Sequence, residues 1–121
     1  GTNNIGDTPA NIARGVTAVV EAIRAKLPDT KILLLGIFPR GADVSDPQTE
    51  SDRAKIAQVN ATLANLDGGG RHVRFIDIGD RFVDEQGNIG KDIMPDGLHL
   101  SRSGYRIWAG AVKPVIDEMM R

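Results

Sequence analysis

Apolar residues recur every three or four positions in three stretches of the chain, and this spacing predicts three amphipathic helices. The first helix is bounded by Thr8 as its N-cap, with Pro9 at the first helical position, and by Leu27, which precedes another proline. The second helix runs from about Ser51 to Leu66, where a run of glycines ends it. Both helices should bury one apolar stripe against a core.

The third helical stretch follows Ser103, which is well placed to cap it, and extends to the end of the chain. Pro114 lies inside this stretch. A proline within a helix lacks the N–H of its turn and crowds the carbonyl four residues earlier. We therefore expect a kink or a division of the helix at Pro114.

Two predicted strands, Lys31–Phe38 and Val73–Ile78, separate the helices, and the first of them is a nearly unbroken apolar run. A strand with one solvated face would alternate apolar and polar residues, so the run Lys31–Phe38 predicts a strand that is covered on both faces, as in a parallel sheet. The order of elements predicts an α/β fold with helices packed on that sheet. Two strands are few for such a sheet, and we expect further strands to precede Gly1.

The composition narrows the class of protein without identifying its chemistry. With 121 residues and 13.0 kDa, the chain is long enough for one domain. Fifteen Lys and Arg residues stand against sixteen Asp and Glu residues, a balance that argues against a nucleic-acid-binding surface. The absence of cysteine excludes disulfides, thiolate zinc sites and a cysteine nucleophile. The longest apolar run is too short to span a membrane.

The candidate catalytic residues are sought in the loops that follow the strands, because loops at the carboxyl edge of a parallel sheet carry most ligand sites. Asp96 and His99 fall in one of these loops, and their spacing of three places both side chains on one side of a turn. A carboxylate on Nδ1 would fix the imidazole and leave Nε2 as a general base. An isolated pair of this kind is more often a capping Asp beside a packed His.

Two other polar residues belong to the same edge. Asn3 could donate its side-chain N–H to a developing oxyanion, or it could be an ordinary turn or cap residue. Arg40 could bind an anionic group of a substrate, but a solvated loop charge is the interpretation that the sequence favours. Taken one at a time, neither residue indicates an activity.

Three segments together carry a resemblance to a known family. Gly1–Asn4, Gly36–Gly41 and Asp96–Ser101 resemble, in this order, blocks in the C-terminal half of an SGNH (GDSL-type) hydrolase. Within that superfamily, the chain resembles the branch of the platelet-activating-factor acetylhydrolase catalytic subunits. The resemblance covers nearly the whole chain. It implies a three-layer α/β/α, flavodoxin-like fold, of which residues 1–121 supply the last two strands and about three helices as the C-terminal portion of one domain.

The resemblance also implies an activity and its residues. Members of this superfamily cleave esters with a serine nucleophile, a His base and an Asp that orients the His. His99 and Asp96 match the base and its partner, and Asn3 matches the oxyanion-hole Asn. The implied substrate is a small-molecule or carbohydrate ester that loses a short acyl group such as acetyl. Neither a metal nor an organic cofactor is expected.

The family's serine and its oxyanion-hole glycine belong to blocks that would precede Gly1. Four serines of this chain are poor substitutes, because none lies in a strand-to-helix turn with glycine neighbours: Ser45, Ser51, Ser101 and Ser103. We therefore expect this chain alone to be inactive, with the N-terminal segment of the same hydrolase supplying the nucleophile.

Two alternatives stay open from the sequence. The chain could be a non-catalytic module that binds saccharides or a partner protein on a hydrolase-like scaffold. A nucleotide- or flavin-binding domain is less well supported, because Gly68–Gly70 joins a helix to the following strand and so lies at the wrong edge of the sheet. If the expected additional strands are absent, the open sheet edge should drive copies of the chain to associate.

Overall fold

A computed structural model describes residues 5–69 and 72–121. Its helices are α1 (Pro9–Lys26), α2 (Pro47–Leu63) and α3 (Arg102–Met119), and its strands are β1 (Ile32–Leu35) and β2 (Val73–Ile76). Short 3-10 turns follow α2 (Ala64–Leu66) and β2 (Gly79–Phe82). The three predicted helices and the two predicted strands are therefore present, in the predicted order.

The first helix begins and ends where its local sequence predicts. The Oγ1 atom of Thr8 accepts a hydrogen bond from Asn11 N at 3.1 Å, and Pro9 occupies the first helical position. Leu27 leaves the helical conformation directly after Lys26, as expected for a residue that precedes proline.

The start of α2 differs from the predicted start at Ser51. Asp46 is the N-cap, since its Oδ1 accepts a hydrogen bond from Gln48 N at 2.9 Å, and Pro47 is the first helical residue. This is the same signal of a cap followed by proline that begins α1. The prediction placed the start too late because the apolar stripe begins only at Ile56, well inside the helix.

The start and the continuity of α3 also differ from the prediction. Ser101, and not Ser103, caps the helix, with its Oγ accepting from Gly104 N at 3.1 Å. Pro114 does not divide the helix, which runs unbroken to Met119. Pro114 and Gly110 are both exposed, so water can bond the Gly110 carbonyl that loses its N–H partner.

Helices cover both faces of a parallel pair of strands, in which Ile32 lies opposite Val73 and Leu35 opposite Ile76. On one face, Leu34 and Phe75 pack against a cluster from α1 and α2. On the other face, residues of both strands pack against a cluster that includes α3: Leu33, Leu35 and Ile76. The fold is the expected three-layer α/β/α arrangement, although each β1 residue keeps partial exposure.

Both strands are shorter than the segments Lys31–Phe38 and Val73–Ile78 that the sequence predicted. Gly36 N still donates to Ile76 O at 2.8 Å, but the backbone of the next residue, Ile37, bonds to the side chain of Asn60 on α2. Residues 37–41 therefore form a loop that α2 holds at the carboxyl end of β1. This loop leads directly to the candidate site.

Candidate active site

The turn that precedes α3 brings Asp96 and His99 together. The Nδ1 atom of His99 lies 2.6 Å from Oδ2 of Asp96. The other carboxylate oxygen, Oδ1, accepts from the backbone N–H groups of Leu98 at 2.9 Å and of His99 at 2.7 Å. Asp96 is thus a capping residue with one oxygen and the partner of the imidazole with the other. The capping role that the sequence offered as an alternative is therefore present beside the contact with the imidazole, but His99 is exposed and not packed on α3 as that alternative expected.

The backbone of this turn depends on a glycine and on an anchor in the core. Gly97 has a φ of 72°, a left-handed conformation that costs glycine little and other residues more. Its N–H donates to Met94 O at 3.0 Å, and the Met94 side chain is only 1% exposed. The hydrogen bond to Met94 therefore anchors the turn to the hydrophobic core beneath α3.

The start of α3 fixes the other end of the turn. Ser101 N donates to Ile93 O at 2.8 Å, and Ser101 Oγ donates to Asp92 O. Gly104 lies so close to this segment that a Cβ on it would stand 2.7 Å from Ile93 O. His99 therefore lies between Gly97 and Ser101, and the backbone N–H groups of both residues are hydrogen-bonded to the segment of Ile93 and Met94.

Hydrogen bonding keeps Asp96 ionised. The pKa of Asp96 is held well below its usual range, chiefly by the hydrogen bond from the His99 side chain and then by the backbone N–H groups of His99 and Leu98. The side chains of His99 and Asp96 are 75% and 54% exposed, and an exposed pair of this kind contributes little to stability. What the pair provides is orientation: a proton on Nδ1 leaves Nε2 as the nitrogen that can accept one.

The loop after β1 contacts the turn that carries Asp96 and His99. Gly41 N donates to Gly97 O at 2.8 Å, and Ile89 N donates to Ala42 O at 3.0 Å. Gly41 has a φ of 90°, and a Cβ there would stand 2.3 Å from Oγ1 of Thr49. The left-handed backbone and the close approach of Thr49 on α2 therefore require glycine at position 41.

Arg40 lies on the same loop and forms an ion pair. Its Nε atom is 3.7 Å from Oδ2 of Asp52 on α2, and the two side chains are 27% and 13% exposed. The structure therefore places Arg40 in a partly buried pair, which differs from the solvated charge that the sequence favoured. Binding of an anionic substrate group by Arg40 stays a prediction.

Two side chains of α2, Arg53 and Asn60, organise the site and were not singled out from the sequence. Asn60 donates to Ile37 O at 3.0 Å and accepts from Ile37 N at 2.7 Å. Arg53 donates to carbonyl oxygens of the loop after β1. The available signal was their position, because both share the inner face of the helix with the buried Ile56.

The remaining sequence predictions concern Asn3 and the serines. Asn3 lies outside the described residues. Ser45 Oγ donates to Asp43 Oδ1 at 2.7 Å, and Ser101 caps α3. Both hydroxyls thus have local structural roles.

Metal sites and membrane helices are not found in the described residues. Within residues 5–69 and 72–121, no three His, Cys, Asp or Glu side chains converge as a metal site requires. No helix in these ranges combines the length and apolar character needed to cross a bilayer.

Comparison with known proteins identifies the family. The model of the GDSL-like lipase/acylhydrolase family matches residues 1–107. The chain belongs to this family. The expected membership is therefore confirmed, and the segment with Asp96 and His99 falls within the matched range.

This member of the GDSL-like family is similar in sequence to two subunits of platelet-activating factor acetylhydrolase. It is 36% identical over 105 residues to platelet-activating factor acetylhydrolase IB subunit alpha1 of Homo sapiens, covering 87% of this chain and 43% of that protein. It is also 36% identical over 121 residues to subunit alpha2 of Rattus norvegicus, covering 100% and 49%. The chain thus spans about half the length of the curated relatives it matches.

A solved structure shows the same fold. A protein from Streptococcus pneumonia, whose description names platelet activating factor, superposes with a TM-score of 0.79 at 26% sequence identity. The match covers 98% of this chain and 56% of that one. This GDSL-like chain therefore has the fold of the matched part of that structure.

Proposed function

We propose that the full-length gene product containing this chain is a serine ester hydrolase that removes short acyl groups, acetyl above all, from an alcohol or a sugar. The observation that carries the proposal is the 2.6 Å contact between His99 Nδ1 and Asp96 Oδ2, in a chain of the GDSL-like lipase/acylhydrolase family. The acetyl preference is supported by the relatives, which are named as acetylhydrolase subunits.

In the proposed reaction, His99 acts as general base and then as general acid. Its Nε2 takes the proton of a serine from the segment preceding this chain, while the serine oxygen bonds to the ester carbonyl carbon. Nε2 next gives that proton to the alcohol oxygen as the C–O bond breaks. Water then repeats the two steps on the acyl-serine and releases the carboxylic acid. No metal or organic cofactor takes part.

Asp96 and Asn3 have supporting roles in this proposal. The carboxylate of Asp96 holds Nδ1 and stabilises the imidazolium that forms when Nε2 takes the proton. The side-chain N–H of Asn3 would donate to the oxyanion of the tetrahedral intermediate, together with backbone groups near the serine. The low pKa of Asp96 supports its role, because the carboxylate stays charged wherever His99 can act as a base.

Hydrolysis of p-nitrophenyl acetate by the full-length gene product tests the proposal. His99→Ala should lower kcat/KM at least about a thousandfold, and Asp96→Asn should lower it by a similar order because the imidazole loses its fixed tautomer. His72→Ala is the matched control, since His72 precedes β2 at the opposite end of the strands. Equal turnover by the His99 and His72 variants would contradict the proposal.

A further inference from the structure

The guanidinium of Arg53, on α2, donates hydrogen bonds to three backbone carbonyls in two loops, the loop after β1 and the loop that contains Gly87. Its Nε donates to Arg40 O at 3.3 Å and its Nη2 to Gly41 O at 2.8 Å. Its Nη1 donates to the carbonyl of Gly87, in the loop that follows Asp84. One planar group with donors on several sides can make these contacts together, whereas an ammonium group cannot match their geometry.

The partial burial of Arg53 explains why its guanidinium needs these hydrogen bonds. The side chain is half-buried, and burial lowers the pKa of its guanidinium, while the charge of Asp84 acts in the opposite direction. A cation that loses part of its water needs hydrogen-bond acceptors in return. The three carbonyls provide them.

The peptide group between Arg40 and Gly41 connects Arg53 to the candidate active site. Arg53 binds its carbonyl oxygen on one side, and on the other side its N–H, which belongs to Gly41, donates to Gly97 O at 2.8 Å. Gly97 directly follows Asp96 in the turn that carries His99. Hydrogen bonds on both sides of one peptide group polarise each other, so each strengthens the other.

A second contact joins the same loops. Ile89 N, two residues after Gly87, donates to Ala42 O at 3.0 Å. A Cβ on Gly97 would stand 3.2 Å from Ala42 N, which shows how closely the turn approaches this loop. A shift of residues 40–42 would therefore be transmitted to the backbone beside Asp96.

We propose that Arg53 is a positioning residue, which fixes the loop after β1 and through it the turn that aligns His99 with Asp96. This inference rests on the proposed function for its effect on catalysis. Its structural part, the alignment of the imidazole, is independent of any activity. Arg53 would act through the backbone of Gly41 and Gly97, without contact with a substrate.

The test compares Arg53→Lys with Arg74→Lys in the full-length gene product. Arg74 is a suitable control because it is also a half-buried arginine, 29% exposed, and pairs with Glu118 of α3 at 3.0 Å. Glu118 lies at the C-terminal end of α3, whereas the candidate active site lies at the start of that helix. Both changes keep the charge and remove the planar group. Arg53→Gln serves as a second variant if the lysine variant does not fold.

Two readouts separate positioning from plain stability. In the p-nitrophenyl acetate assay, Arg53→Lys should lower kcat by about ten- to a hundredfold with KM within about twofold, as expected for misplacement of a catalytic group. The ring 15N shifts of His99 should show the Nδ1-protonated tautomer in the parent protein and in Arg74→Lys. In Arg53→Lys they should move toward a mixture of tautomers, because the hydrogen bond to Asp96 is loosened.

The outcomes distinguish this inference from the proposed function. Unchanged tautomer shifts in folded Arg53→Lys overturn the inference, whether kcat falls or not. Changed shifts together with lower kcat support it. Changed shifts in a protein whose esterase activity survives His99→Ala would leave the positioning role standing and would refute the proposed function.

Discussion

Asn60 provides the most direct test of how α2 holds the loop beyond β1. The residue is 7% exposed, and its amide bonds both the N–H and the C=O of Ile37. It also lies 3.4 Å from Oδ2 of Asp77 and so spans the ends of both strands. Replacing Asn60 with Ala would remove all three contacts at once and leave the two groups of Ile37 without their partner.

The magnitude follows from those two backbone groups. A buried donor or acceptor that loses its partner costs roughly 1–3 kcal/mol. Water can reach the freed groups here, because an open cavity of about 230 Å³ adjoins Asn60 and is lined also by Ile37 and Asp77. The lower half of the range therefore applies to each group, and Asn60→Ala should lower the free energy of unfolding by about 2–4 kcal/mol.

Urea unfolding of the full-length gene product measures this difference, with the midpoint read at constant slope. Asn65→Ala is the matched control, because Asn65 is exposed in the 3-10 turn after α2 and its loss should change stability by less than about 0.5 kcal/mol. If the Asn60 and Asn65 variants unfold at the same urea concentration, Asn60 does not hold the loop and the reasoning is wrong.

Two further predictions concern a glycine and a carboxylate. Gly41→Ala should lower the free energy of unfolding by about 2–4 kcal/mol, because the cost of a left-handed φ adds to the overlap with Thr49. Gly110→Ala, in an exposed stretch of α3 with open space around it, should raise the free energy of unfolding by about 0.5–1 kcal/mol. Thermal melts that rank the two variants the other way would refute this prediction. Asp96 has a lowered pKa, so its contribution to stability is present above the unfolded value of 3.8 and is lost only as the pH falls through the lower native value. A 13C titration should find the carboxyl still ionised at pH 3.8 and its midpoint raised by His99→Ala, and an unchanged midpoint would show that His99 is not the main cause.

Local signals predicted the elements and the central pair of the site. Thr8 and Pro9 mark the start of α1 because a cap and an N1 proline act within a few residues. Asp96 and His99 are three residues apart, so their contact needs only one turn of backbone. The start of α2 was predicted wrongly although Asp46 and Pro47 carry the same signal, because the apolar stripe was given more weight than the cap.

Contacts between distant parts of the chain could not be predicted in the same way. Ser101 caps α3 instead of Ser103 because its N–H and Oγ also bond the segment of Asp92 and Ile93, a contact that only the folded chain reveals. The hydrogen bond from Arg53 to Gly87 spans 34 positions, and those from Asn60 to Ile37 span 23. Their identity as loop-holding residues depends on the packing of α2 against the sheet.

Covalent labelling with a fluorophosphonate tests the central claim most directly, because the reagent is attacked by an activated serine and loses fluoride. In the full-length gene product, we expect one adduct on a serine that precedes this chain, with a labelling rate at least about a hundredfold lower in His99→Ala, since the base is lost. His72→Ala should label at the parent rate. An absent adduct, or equal labelling rates in the parent and His99→Ala, would contradict the assignment of Asp96 and His99 to a hydrolase active site.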